Sequence, residues 1–182
     1  MSPCPTSRPS PQADGTRPLF ITDLGASAGY FVWGMRACIR GQASDSIVEK
    51  AFSEVFGHDA ASILADIHAL AALVGKSARN RPTIGAPGCA CLTPHEISMV
   101  RILASAQAGE GAAVEAHLVW MVTPQDRAVL KVLIHYLADR FTCHGLVINP
   151  PPAPAPPQRA TPRCLANKRS VATAATTNRG RG

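Results

Sequence analysis

Alternating apolar and polar residues at strand length are absent between Leu19 and Asn149, so nothing there predicts a half-buried sheet. Nowhere do eighteen apolar residues run together, and no membrane span is expected. The opening residues lack a basic segment leading into an apolar one, so no secretory leader is predicted. Catalytic signatures are also missing. The chain has no Gly-rich phosphate loop and no recognisable Ser/His/Asp arrangement or carboxylate pair. His95-Glu96 supplies half of a zinc-protease helix, but Met99 stands where the second histidine belongs. These absences argue against an enzyme.

Aromatics are scarce: five Phe, two Trp and two Tyr, all between Phe20 and Phe141. Most prolines lie outside that interval, from Pro3 to Pro18 and from Pro150 to Pro162. Such segments bury too little apolar surface to offset their ordering entropy. Three parts are therefore predicted: a disordered tail over 1–18, a helical bundle domain over 19–149, and a disordered Pro-rich, basic tail over 150–182. The net charge of +6 divides along the same lines. Eight Lys and Arg against Asp14 make the tails +7, and ten against eleven acids make the middle −1. A basic tail of this kind either solubilises the chain or attracts nucleic acid without specificity. The six cysteines are irregularly spaced, which predicts free thiols in a reducing, cytoplasmic setting.

Within the middle, apolar residues recur at helical spacing. Leu24, Ala28, Phe31, Met35 and Cys38 predict a helix from Asp23 to Arg40, closed by Gly41. Gly25, Gly29 and Gly34 weaken it, and they also permit close approach of a neighbour. Ser46-Ile-Val-Glu49 reads as a capping box, opening a helix with Val48, Phe52, Val55 and Phe56 inward. Gly57 interrupts it and Asp59 caps a restart carrying Ile63, Ile67, Leu70 and Val74. A basic connection over 75–88 follows, with Lys76, Arg79 and Arg81. After a helix from Pro94 to about Ala108 comes a short one with Val114, Leu118 and Met121 inward. Thr123-Pro124 starts the last, with Val129, Leu130, Leu133, Ile134, Leu137 and Phe141 as its apolar face. The predicted fold is all-α, a compact bundle of about five to six short helices.

The stretch Gly85-Ala-Pro-Gly-Cys-Ala-Cys-Leu-Thr-Pro-His-Glu-Ile97 organises the rest. Thr93 is an N-cap, Pro94 suits the first helical position, Glu96 completes a capping box, and Leu92 and Ile97 are placed for a hydrophobic staple. Cys89 and Cys91 sit just ahead of that helix end, which favours anions, thiolates included. They read either as small residues in a surface loop or as a reactive or metal-binding pair. In the second case Cys143 and His144, after the last helix, are the candidate further ligands, with Cys38 and His95 also available. The cofactor would then be zinc or another thiolate-bound metal.

The run Leu92-Thr-Pro-His-Glu-Ile-Ser-Met-Val-Arg-Ile-Leu-Ala104 resembles the opening helix of a LuxR-type helix-turn-helix domain. That resemblance implies two more helices, met in order by Ala112–Met121 and Pro124–Phe141, and duplex DNA as the partner. The last helix departs from the pattern, offering Arg127 and Lys131 beside six large apolar residues where a basic face is needed. Three functions follow: a non-enzymatic intracellular interaction or regulatory module with a protein partner or a second copy of itself; a metal- or redox-responsive protein using the Cys89/Cys91 loop; and a LuxR-like DNA binder.

Overall fold

A computed structural model describes residues 18–152; the predicted tails lie almost wholly outside the described residues. Six α-helices make up the fold: α1 (Ala26–Ile39), α2 (Ser46–Phe56), α3 (Ala60–Ser77), α4 (Pro94–Gln107), α5 (Gly111–Met121) and α6 (Arg127–Cys143). Among the described residues there is no strand, only isolated antiparallel bridges between Phe20 and Cys91 and between Ala78 and Val122. The fold is a compact all-α bundle. Its middle helix, α3, packs on α1, α2 and α6, while α6 also packs on α4 and α5.

Three helices end alike, and the sequence explains why. α1, α4 and α6 run into Gly41, Gly109 and Gly145, at φ +69°, +73° and +71°. In each, two amides beyond the last turn return to its carbonyls, as Gln42 does to Ala37 and Gly41 to Cys38. Only a residue without Cβ adopts that left-handed backbone at little cost.

The core is one cluster with an aromatic centre. Phe31, Phe52, Phe56 and Phe141 are all essentially inaccessible. Phe141 meets Phe31 and Phe56 edge-on, with centroids 6.4 and 5.2 Å apart, tying α6 to α1 and α2. Gly34 serves the close approach predicted for it: a Cβ there would lie 2.6 Å from Phe52 Cζ and 3.2 Å from Ile67 Cδ1. Gly29 opens onto free space instead.

Several helix starts differ from the sequence reading. α1 begins at Ala26, because residues 21–23 form a 3-10 turn and Leu24 is extended. The cap of α2 is Asp45, whose Oδ1 accepts from Ile47 N at 2.9 Å; a carboxylate one residue earlier outcompetes Ser46. Asp59 precedes α3 without capping it, since its carboxylate is taken by Arg140 and His144 at 3.3 and 3.1 Å. α3 runs on past Gly75 to Ser77. A 3-10 turn over Pro124–Asp126 intervenes between Thr123 and α6. On α6, Val129 is not in the core but 59% exposed, because it lies about 100° round the helix from Leu130.

By length and composition alone Ser46–Ser77 would cross a bilayer. Here Gly57, at φ +58°, splits it into two helices. Ile63, Ile67, Leu70 and Val74 line the protein core, as befits a buried helix of a bundle.

Candidate functional site

Arg36 lies on the buried stripe of α1, four residues after Val32, and is completely inaccessible. Its partner is Glu96, equally buried, in the first turn of α4. Arg36 Nε donates to Glu96 Oε1 at 2.6 Å and Nη2 to Oε2 at 2.8 Å, a two-pronged ion pair. The remaining guanidinium protons go to one loop. Nη1 donates to the carbonyls of Ala86 and Cys89 at 3.1 and 2.5 Å, and Nη2 to that of Cys91 at 2.8 Å. All five donors of the guanidinium are thereby used.

Glu96 is saturated too. Oε1 also accepts from Gly85 N at 3.0 Å and Oε2 from Thr93 N at 2.8 Å. The second of these is half of the predicted capping box; Glu96 N donates back to Thr93 Oγ1 at 3.2 Å. Burial alone would push the Glu96 carboxyl up. The bonds from Arg36, Thr93 and Gly85 and the guanidinium charge outweigh that and hold it below its ordinary 4.5. Gly85 is required by the same packing, because a Cβ there would stand 2.6 Å from Arg36 Nη2.

The clamp dictates the shape of the cysteine loop. Cys89 N closes a turn onto Ala86 O at 2.9 Å. Beyond it, the carbonyls of Cys89 and Cys91 face Arg36, while that of Ala90 faces the other way and accepts from Ile21 N at 2.8 Å. Leu92 N donates to Leu19 O at 2.8 Å. Alternating carbonyls are the mark of an extended chain, in which side chains two apart share one face. The loop thus presents Cys89, half-buried, and Cys91, exposed, side by side.

Cys143 and His144 do not join them. Gln107, the last residue of α4, donates from Nε2 to Ala138 O, Thr142 Oγ1 and Leu146 O at 3.3, 3.1 and 2.9 Å, which pins the end of α6 to the end of α4. The cysteine loop precedes the start of α4, a 14-residue helix about 20 Å long. The four residues grouped by sequence reasoning therefore stand at opposite ends of one helix and form no common site. His144 instead bonds Asp59 and stacks edge-on against Phe56, and Cys143 is exposed. His95 is tied to Thr83, whose amide donates to its Nδ1 at 3.2 Å. Cys38 is buried, with Sγ 3.5 Å from Leu64 O. Among the described residues, no three of His, Cys, Asp and Glu gather as a metal would need.

Burial pushes the Cys38 thiol up to about 11. Brief alkylation of the native chain at pH 7.5, read residue by residue by mass spectrometry, is expected, among the four described cysteines, to modify Cys91 and Cys143 first and leave Cys38 untouched until the fold is melted. Early modification of Cys38 would contradict its place in the core.

Arg36 is the residue of this site that sequence reasoning missed. Its signal was present: a cation in register with Val32, Met35 and Cys38 on an apolar stripe needs a buried partner. The outer stripe of α6 carries Val129, Val132, Tyr136 and Asp139, and Lys131 pairs with Glu115 at 3.7 Å. Arg140, whose guanidinium lies 5.7 Å over the Tyr136 ring, is held by Asp59 and Asp66 at 3.3 and 3.2 Å. No family model matches the chain, and neither does a curated protein or a solved structure.

Proposed function

We propose that the chain is a non-enzymatic helical interaction module whose partner surface is the outer side of α5 and α6. The observation that carries this is where large apolar side chains are left in water. Among the described residues eight large apolar side chains are exposed; five of them, Val119 (43% exposed), Trp120 (69%), Val129 (59%), Val132 (71%) and Tyr136 (49%), lie on these two helices, and Ile39, Ile47 and Val147 lie on other segments. Val129, Val132 and Tyr136 recur at three and four residues, a single outward stripe. Exposed Trp and Tyr are the side chains that supply most binding energy at interfaces. The innermost acid and base, Glu96 and Arg36, meanwhile satisfy one another and the loop, which leaves them no valence for a substrate. The partner is another protein or a second copy of the chain, in a reducing, cytoplasmic setting.

The test is a Val132→Glu, Tyr136→Ser double variant. Both positions are exposed, so folding stability is expected to hold within about 0.5 kcal/mol for each. Wild-type chain is expected to sediment as a stable dimer or to copurify with one stoichiometric protein, and the variant to lose that association. Indistinguishable behaviour of the two would retire the reading.

A second reading, a metal- or redox-responsive loop, is favoured by the shared face of Cys89 and Cys91 and by the buried ion pair that holds their backbone.

A further inference from the structure

We infer that Cys89 and Cys91 together bind one soft, closed-shell metal ion, monovalent copper being the type, in two-coordinate bis-thiolate form. The inference rests on the thiol-loop reading above and adds its ligand.

Spacing is the first support. Residues two apart on an extended chain stand about 6.6 Å apart. A disulfide wants its Cβ atoms about 3.8 Å apart. Closing one would bend Cys89-Ala90-Cys91 and pull the two outer carbonyls off Arg36. A bridging ion asks for less. Two metal–sulfur bonds of about 2.3 Å laid end to end span roughly 4.6 Å between sulfurs, within reach of rotamer changes alone.

The second support is what surrounds the pair. His95 holds its Nδ1 on Thr83, Cys38 faces Leu64 inside the core, and Cys143 lies past the far end of α4. An ion demanding four protein ligands is poorly served here. A thiophilic ion content with two thiolates is well served. The third support is rigidity: the Arg36 bonds fix both carbonyls, so little ordering is left for binding to impose. On binding, each thiol gives up its proton to solvent and forms one S–Cu bond. Copper stays monovalent, and no electron changes hands.

The experiment uses the full chain with Cys4, Cys143 and Cys164 replaced by serine, kept anaerobic, and titrated with Cu(I) against a chromophoric chelator and separately with Zn(II). One equivalent of Cu(I) is expected, with X-ray absorption showing two sulfur neighbours. Cys89→Ser and Cys91→Ser are each expected to weaken it by at least about 100-fold, the upper end of the cost of losing a second-shell group. Their melting curves should match the parent, so that the loss reads as a lost ligand. Tight Zn(II) binding with additional nitrogen or oxygen neighbours would overturn the two-coordinate inference but keep the thiol-loop reading. No Cu(I) or Zn(II) binding above the serine variants would overturn the inference together with the metal form of the thiol-loop reading.

Discussion

Arg36→Met is expected to cost about 3–5 kcal/mol, the typical penalty for leaving one charge of a buried pair alone. The carboxylate of Glu96 would remain inaccessible with its strongest donors gone, and the carbonyls of Cys89 and Cys91 would lose theirs, while that of Ala86 would keep only Cys89 N. Glu96→Met should cost about as much, for the mirror-image reason. The double variant should recover part of the loss, since an apolar pair carries no buried charge. Recovery should be incomplete, because Gly85 N and Thr93 N lose their acceptor as well. Urea titrations of the four proteins, combined as a double-mutant cycle, measure the coupling. Losses that simply add, or single variants within about 1 kcal/mol of wild type, would refute the clamp.

The same pair sets an acid limb. Glu96 has its folded-state carboxyl held below the unfolded value of 4.5. A lowered carboxyl contributes stability that is fully present above the unfolded value and is lost as pH falls through the folded one. Wild-type stability should therefore drop below about pH 4.5, and Glu96→Gln should flatten that part of the curve. An unchanged acid slope in Glu96→Gln would assign the limb to other carboxylates.

Phe141→Ala carries the other large effect. The ring is fully buried between Phe31 and Phe56 and joins three helices. Removing it from a close-packed core is expected to cost about 3–5 kcal/mol. At about 3–5 °C per kcal/mol for a domain of this size, the melting midpoint should fall by roughly 10–20 °C. Tyr136→Ala, five residues away but 49% exposed, should stay within about 0.5 kcal/mol and serves as the control. Similar midpoints for the two variants would mean that Phe141 does not join α6 to the core.

Much of this architecture was legible from residues alone because it depends on neighbours in the chain. Thr93, Pro94 and Glu96 are enough to start α4, since an N-cap bonds to amides two or three residues on. Gly41, Gly109 and Gly145 are enough to stop helices, since positive φ is a local preference. Helical spacing likewise marked Phe31, Phe52, Ile67 and Phe141 as core before any packing was known. At the start of α3 a distant group intervened: Asp59 gave up its cap because Arg140 and His144, some eighty residues on, compete for the same carboxylate.

The candidate site needed the tertiary structure. Sequence could pair Glu96 with Thr93, three residues away, but not with Arg36, sixty residues away, because an ion pair leaves no periodic trace. It could note Cys89 and Cys91, but not that a guanidinium beneath them holds their carbonyls in line. Nor could it tell that Cys143 and His144 belong to the other end of α4. That was settled by how α6 lies along α4, through Gln107, and helix packing depends on surfaces that meet only once the chain has folded. The sequence by itself thus determined that this chain forms helices, where most of them end, and which faces turn inward. Only the fold decided which of its few charges and thiols are neighbours, because short-range bonds follow from adjacent residues whereas a buried pair depends on which helices come into contact.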